Sequence, residues 1–74
     1  MEINMNLIIN GAAYPVLDNG FAVDNIVQRI QRVLGKATAQ HEEIAYDLYH
    51  NLQDDLEGTE DSAGNYFELH TEDE

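Results

Sequence analysis

The chain has 74 residues, no cysteine and a formal net charge of −12. A domain of this size buries only about 60% of the surface its unfolded chain exposes, so its margin of stability is small. Without thiols, disulfides, thiolate metal sites and cysteine nucleophiles are excluded.

The charge is not spread evenly. From Ala37 onward there are twelve carboxylates and no Lys or Arg, whereas Glu2, Asp18 and Asp24 balance Arg29, Arg32 and Lys36 in the first half. Such acidity repels nucleic acid and anionic membrane as direct ligands and favours basic protein surfaces as partners. No apolar run approaches the roughly 18 residues of a membrane span. Leu7-Ile8-Ile9 is too short for a signal peptide, and a cysteine-free small domain fits the cytoplasm. High net charge favours disorder. However, 43% of residues are hydrophobic and fall in periodic patterns, which predicts a folded domain over residues 1–70 and an acidic tail over 71–74.

Residues 3–9 alternate, with Ile3, Met5, Leu7 and Ile9 on one side and Asn4 and Asn6 on the other, as in a half-buried strand. Asn10-Gly11 follows, a pair suited to the positive φ angles of a type I′ hairpin turn. Folding about it places Ile9 opposite Ala12, Leu7 opposite Tyr14 and Met5 opposite Val16. Pro15 falls opposite Asn6 and cannot donate to a ladder, so the second strand is expected at an edge.

After the turn at Asp18-Asn19-Gly20 the period becomes helical. Val23, Ile26, Val27, Ile30, Val33 and Leu34 form the apolar stripe of a first helix, Asp24 stands in its first turn and Gly35 ends it. Arg29, Arg32 and Lys36 suit its C-terminal end, with Arg29 or Arg32 as possible partners for carboxylates of the next helix. Thr38 reads as the N-cap of a second helix reaching about Leu56, with Ile44, Ala45, Leu48, Tyr49, Leu52 and Leu56 inward. Glu43, Asp47, Asn51 and Asp54 occupy its opposite face, flanked by Glu42, Asp55 and Glu57. Residues 57–64 read as an acidic loop and 65–70 as a third strand beside the first, with Phe67 and Leu69 inward. The expectation is an α+β domain of order ββααβ, a three-stranded antiparallel sheet with two helices on one face.

Catalytic signatures are lacking. Ser62 is the only serine and lies among acids that disfavour an oxyanion, and so short a chain leaves little room for a substrate cleft. No catalytic residue, metal ligand or cofactor is assigned. Asp47 and His50 have the i, i+3 spacing of carboxylate–histidine metal sites, but residues 54–61 fail the EF-hand pattern, and the set reads as a solvated acidic face. His41, His50 and His70 read as polar surface positions. A helix-turn-helix reading of the two helices fails because the second would present Glu43, Asp47 and Asp54 to phosphates.

The acidic face is the remaining feature. Carboxylates one helical turn apart stand about 5–6 Å from each other, close to the spacing of phosphate charges along a nucleic acid. The expected partner-binding residues are Glu42, Glu43, Asp47, Asp54, Asp55, Glu57, Glu60 and Asp61, with Tyr46 and Tyr66 supplying contact area.

In its size, lack of cysteine, one-sided acidity and compact α+β order, the chain resembles the small acidic anti-defence proteins of phages, anti-CRISPR proteins and DNA-mimic inhibitors among them. The resemblance extends over the whole chain in character and rests on no motif. It implies a non-catalytic inhibitor, monomeric or homodimeric, acting in the cytoplasm of an infected bacterial cell. Its partner would be a CRISPR effector complex or a similar basic, nucleic-acid-binding protein whose groove it occludes. An acidic regulatory or antitoxin-like module, monomeric or dimeric, with acids that serve solubility, has the same outline.

Overall fold

Asn10 and Gly11 both take positive φ, 52° and 91°, and this two-residue turn fixes the register of the strands on either side. The computed structural model describes residues 3–50 and 58–71. Strand β1 (Ile3–Ile9) pairs antiparallel with β2 (Ala12–Asp18). Ile9 stands opposite Ala12, Leu7 opposite Tyr14, Asn6 opposite Pro15 and Met5 opposite Val16, as the hairpin reading requires.

Helix α1 (Ala22–Leu34) buries Ala22, Ile26 and Ile30 and half-buries Val23, Val27, Val33 and Leu34. Its start uses no side-chain cap. Instead the Asn19 side-chain oxygen accepts from the Phe21 N–H at 3.3 Å and from the Asn25 side-chain amide at 3.2 Å, and that amide also reaches the Leu17 carbonyl at 2.9 Å. Gly35, at φ 87°, closes the helix by donating its N–H to the Gln31 carbonyl. Helix α2 (Ala39–His50) buries His41, Ile44 and Ala45. The Tyr49 hydroxyl donates to the Asp18 carboxylate at 3.1 Å, pinning α2 to the end of β2. That bond, burial and the Asp18 charge all raise the phenol's pKa. The expected extension of α2 to Leu56 lies outside the described residues.

Among the described residues the sheet has four strands, not three. Strand β3 (Thr59–Glu60) lies within the stretch read as a loop and pairs with β4 (Tyr66–Thr71), giving the order β2-β1-β4-β3. The architecture is therefore ββααββ. Two residues are too few to display a period of two, so β3 leaves no mark in the sequence pattern. Strand β4 lies beside β1 as expected and β2 is an edge. Thr71, read as the start of the tail, belongs to β4 and pairs with Met5.

Met5, Leu7, Ile9, Val16, Phe67 and Leu69 face the helices from the sheet and meet Ala22, Ile26, Ile30, Ile44 and Ala45. Burying each large apolar side chain contributes about 1.5–3 kcal/mol. The other sheet face, with Asn6, Ile8, Tyr66, Glu68 and His70, carries no helix among the described residues.

Gly58 is needed where the chain passes close over β4. A Cβ there would collide with the Phe67 carbonyl oxygen and lie 2.6 Å from Glu68 Cγ and from the Tyr66 ring. Gly58→Ala is expected to cost about 1–3 kcal/mol, lowering the melting temperature in a thermal scan by about 4 °C or more.

Candidate functional site

The second helix starts with an unusual cap. In the common capping box, a Glu or Gln three residues after the N-cap accepts the N-cap's own backbone N–H. Here the residue in that place is His41. Its Nδ1 accepts the Thr38 N–H at 3.1 Å, with the Thr38 hydroxyl at 3.3 Å, while the Thr38 carbonyl accepts the Glu42 N–H at 3.1 Å. Because Nδ1 is an acceptor, the ring proton sits on Nε2, which donates to Asp61 Oδ2 at 2.7 Å.

Asp61 organises the turn between β3 and β4 from the other side. Its Oδ1 accepts the Ala63 and Asn65 N–H groups, both at 2.9 Å, and Oδ2 also accepts the Asn65 side-chain amide at 3.0 Å. The Asn65 side-chain oxygen in turn accepts from the Asn10 side-chain amide at 3.0 Å. Ser62 donates its N–H and hydroxyl to Gln40. A polar chain thus runs from Asn10 in the hairpin turn through Asn65, Asp61 and His41 to Thr38, tying three segments to one buried carboxylate. Burial alone would push the Asp61 carboxyl up. The hydrogen bonds from the Asn65 side chain, His41 and the N–H groups of Asn65 and Ala63 outweigh it and hold the group well below the usual carboxylate range.

Asp61, His41 and the Thr38 hydroxyl fall in the order of an acid, a base and a nucleophile. The resemblance to a triad stops there. The Thr38 N–H already occupies the imidazole lone pair that would take the hydroxyl proton, and the ring is 4% exposed. This network is structural. It also corrects two expectations: His41 is not a surface position, and Asp61, at 8% exposure, does not stand on the acidic surface. The capping-box spacing from Thr38 to His41 was visible in the sequence, but a histidine in place of Glu or Gln masks it.

The remaining candidate residues divide between two faces. Glu42, Glu43, Tyr46 and Asp47 come together on α2, where with Val23 and Ala39 they line a groove of about 490 Å³ against α1. All four are exposed, and the Tyr46 ring lies on His50 with centroids 4.0 Å apart. Glu60 is exposed on β3 opposite Tyr66, so both belong to the open face of the sheet, away from that groove. There the half-buried Tyr66 accepts the Gly58 N–H at 3.2 Å and donates to Glu68 Oε2 at 2.8 Å, while His70 contacts Glu68 Oε1 at 2.8 Å. The hydrogen bonds from His70 and Tyr66 lower the Glu68 pKa. Asp54, Asp55 and Glu57 lie outside the described residues.

Two of the three basic side chains turn elsewhere. The Arg29 guanidinium stacks over the Tyr14 ring at 5.8 Å and donates to the Pro15 carbonyl at 3.3 Å. With Arg32 it lines a separate groove of about 280 Å³ against β2. The side of α1 facing β2 is therefore basic, and the exposed side of α2 is acidic. Val23 and Ala39 were not expected in a site, since Val23 reads as core from its helical spacing.

Set against known protein families, curated sequences and solved structures, the chain finds no match. No helix among the described residues is long and apolar enough to cross a membrane.

Proposed function

We propose that this chain is a non-catalytic inhibitor that occupies the Lys/Arg groove of a nucleic-acid-handling defence complex, a CRISPR effector or a similar enzyme. The observation that carries the reading is the separation of charge in space. Glu42, Glu43 and Asp47 project from one side of α2, while Arg29 and Arg32 are turned toward β2. Like-charged residues one turn apart on a helix each cost a few tenths of a kcal/mol. A surface needed only for solubility would intersperse both signs.

A rigid row of carboxylates offered to a phosphate-binding groove competes with DNA or RNA through the same electrostatics. Hence the mechanism needs no chemistry, only occupancy. In the test, the immobilised chain captures proteins from a bacterial lysate, and increasing DNA or RNA is then added. The expected result is release of the captured enzyme by nucleic acid. Retention of the partner at saturating DNA and RNA would refute mimicry.

A second reading, an acidic regulatory or antitoxin-like module, draws support from Phe21 and Tyr46, which are 64% and 55% exposed. Large apolar side chains in such positions suit a protein contact. On that reading the acids serve solubility and the contact is insensitive to salt.

A further inference from the structure

Charge alone does not account for what lies between the acids. The groove that Glu42, Glu43 and Asp47 border is lined between them by Val23, Ala39 and the exposed Tyr46. Val23 also forms a wall of a second groove of about 190 Å³, around Phe21, Asp24 and Tyr49. An apolar strip therefore runs from Phe21 across Val23 to Tyr46, with Asp24 at one end and the α2 carboxylates at the other.

A nucleic-acid mimic that worked by charge only would have no use for this strip. Exposed aromatic side chains invite association, and aromatic residues ringed by polar ones are typical of the energetic centres of protein interfaces. The volume also fits. About 490 Å³ is in the range of pockets that enclose a small ligand, enough for a large side chain with part of its neighbours.

We infer that the α1–α2 groove is a docking site for a partner segment that carries an apolar side chain, aromatic or leucine-like, between Lys or Arg residues. The apolar side chain seats on Val23, Ala39 and Tyr46, and the flanking cations meet Glu42, Glu43 and Asp47. Charge complementarity selects this occupant: a second copy paired symmetrically through the groove would bring the same acids against themselves, and the sparse arginines Arg29 and Arg32 of a copy docked otherwise are engaged against β2 and Tyr14. The inference rests on the acidic-face reading and refines it, because the partner is then recognised by an apolar anchor as well as by positive charge.

Two lysine-rich peptides of equal charge test it, one centred on a Trp-Leu pair and the other on a Ser-Ser pair. The chain contains no Trp, so peptide emission reports burial without background, and amide shifts of the full-length chain report the site and affinity for both peptides. The expected result is at least tenfold tighter binding of the Trp-Leu peptide, a blue shift of its emission, and shifts concentrated at Val23, Ala39 and Tyr46. Tyr46→Ser, a change at an exposed position, should remove that advantage. Equal binding of the two peptides overturns the anchor while leaving the acidic-face reading standing. Binding of neither overturns both.

Discussion

Asp61→Ala is expected to lower the melting temperature by about 12 °C or more, the largest effect of any single carboxylate in the described residues. The substitution removes the acceptor of four hydrogen bonds, from His41, from the side chain and N–H of Asn65, and from the Ala63 N–H. The His41 donor left buried and unpaired costs about 1–3 kcal/mol, the part-buried Asn65 and Ala63 donors cost less, and breaking a buried charged contact costs about 3–5 kcal/mol in total. A chain this long has only about 4–11 kcal/mol to lose, at 0.05–0.15 kcal/mol per residue. For a domain of its size each kcal/mol moves the midpoint by about 4–8 °C.

Asp61→Asn should recover only part of the loss. Its carbonyl oxygen still serves the two backbone N–H groups, but its amide then faces the His41 Nε2–H and the Asn65 amide, donor against donor. The pH dependence has a definite sign. The folded Asp61 pKa lies below the unfolded value of about 3.9. Its stabilisation is therefore fully present above that value and is lost as pH falls through the range beneath it. Mutual repulsion of the other acids relaxes over the same range, so the useful quantity is the stability gap between the native chain and the Asp61→Asn variant. That gap should stay constant above about pH 5 and narrow below about pH 4. A gap that widens on acidification would show that the carboxylate is not the stabilised form.

The second large effect concerns binding. Reversing Glu42, Glu43 and Asp47 to Lys should weaken capture of a basic partner by about 100-fold or more. Each reversal replaces an attraction with a repulsion at close range, and about 1 kcal/mol for each gives that factor. The fold should survive, since all three side chains are exposed; a Lys near the start of α2 opposes the helix dipole by only about 0.3–1 kcal/mol. Circular dichroism should be unchanged. Each reversal shifts the charge by two, so the net charge goes from −12 to −6. The control makes the same shift at Glu72, Asp73 and Glu74. An equal loss of capture in both variants would mean that overall charge, not the α2 surface, governs binding.

Local pattern made much of this fold legible. The hairpin could be read to the residue because a two-residue Asn-Gly turn leaves one register that puts Met5, Leu7 and Ile9 on the buried face. Helix α1 was equally plain, from its stripe of branched residues and the glycine that ends it. What escaped depends on partners distant in sequence. Strand β3 exists because β4 offers it an edge and Gly58 allows the approach. His41 is buried because Asp61, twenty residues away, accepts the hydrogen bond from its Nε2–H. Periodicity along one element carries no information about either.

The candidate surface was legible to the same degree. Helical spacing correctly groups Glu43 with Asp47, and Tyr46 stands exposed beside them. Whether Glu60, Asp61 and Tyr66 share that face is decided by the sheet, and they do not. Asp61 turns inward, and Glu60 and Tyr66 belong to the opposite side of the molecule.

The most direct test of the acidic α2 surface as a binding site is the salt dependence of capture. The immobilised chain is exposed to bacterial lysate at about 50 mM and again at about 500 mM salt, where the Debye length falls from above 10 Å to well under it. Bound proteins are identified by mass spectrometry. The prediction is a nucleic-acid-handling enzyme held at low salt and mostly lost at high salt. A partner held equally at both would contradict the account and place the interface on apolar contacts alone.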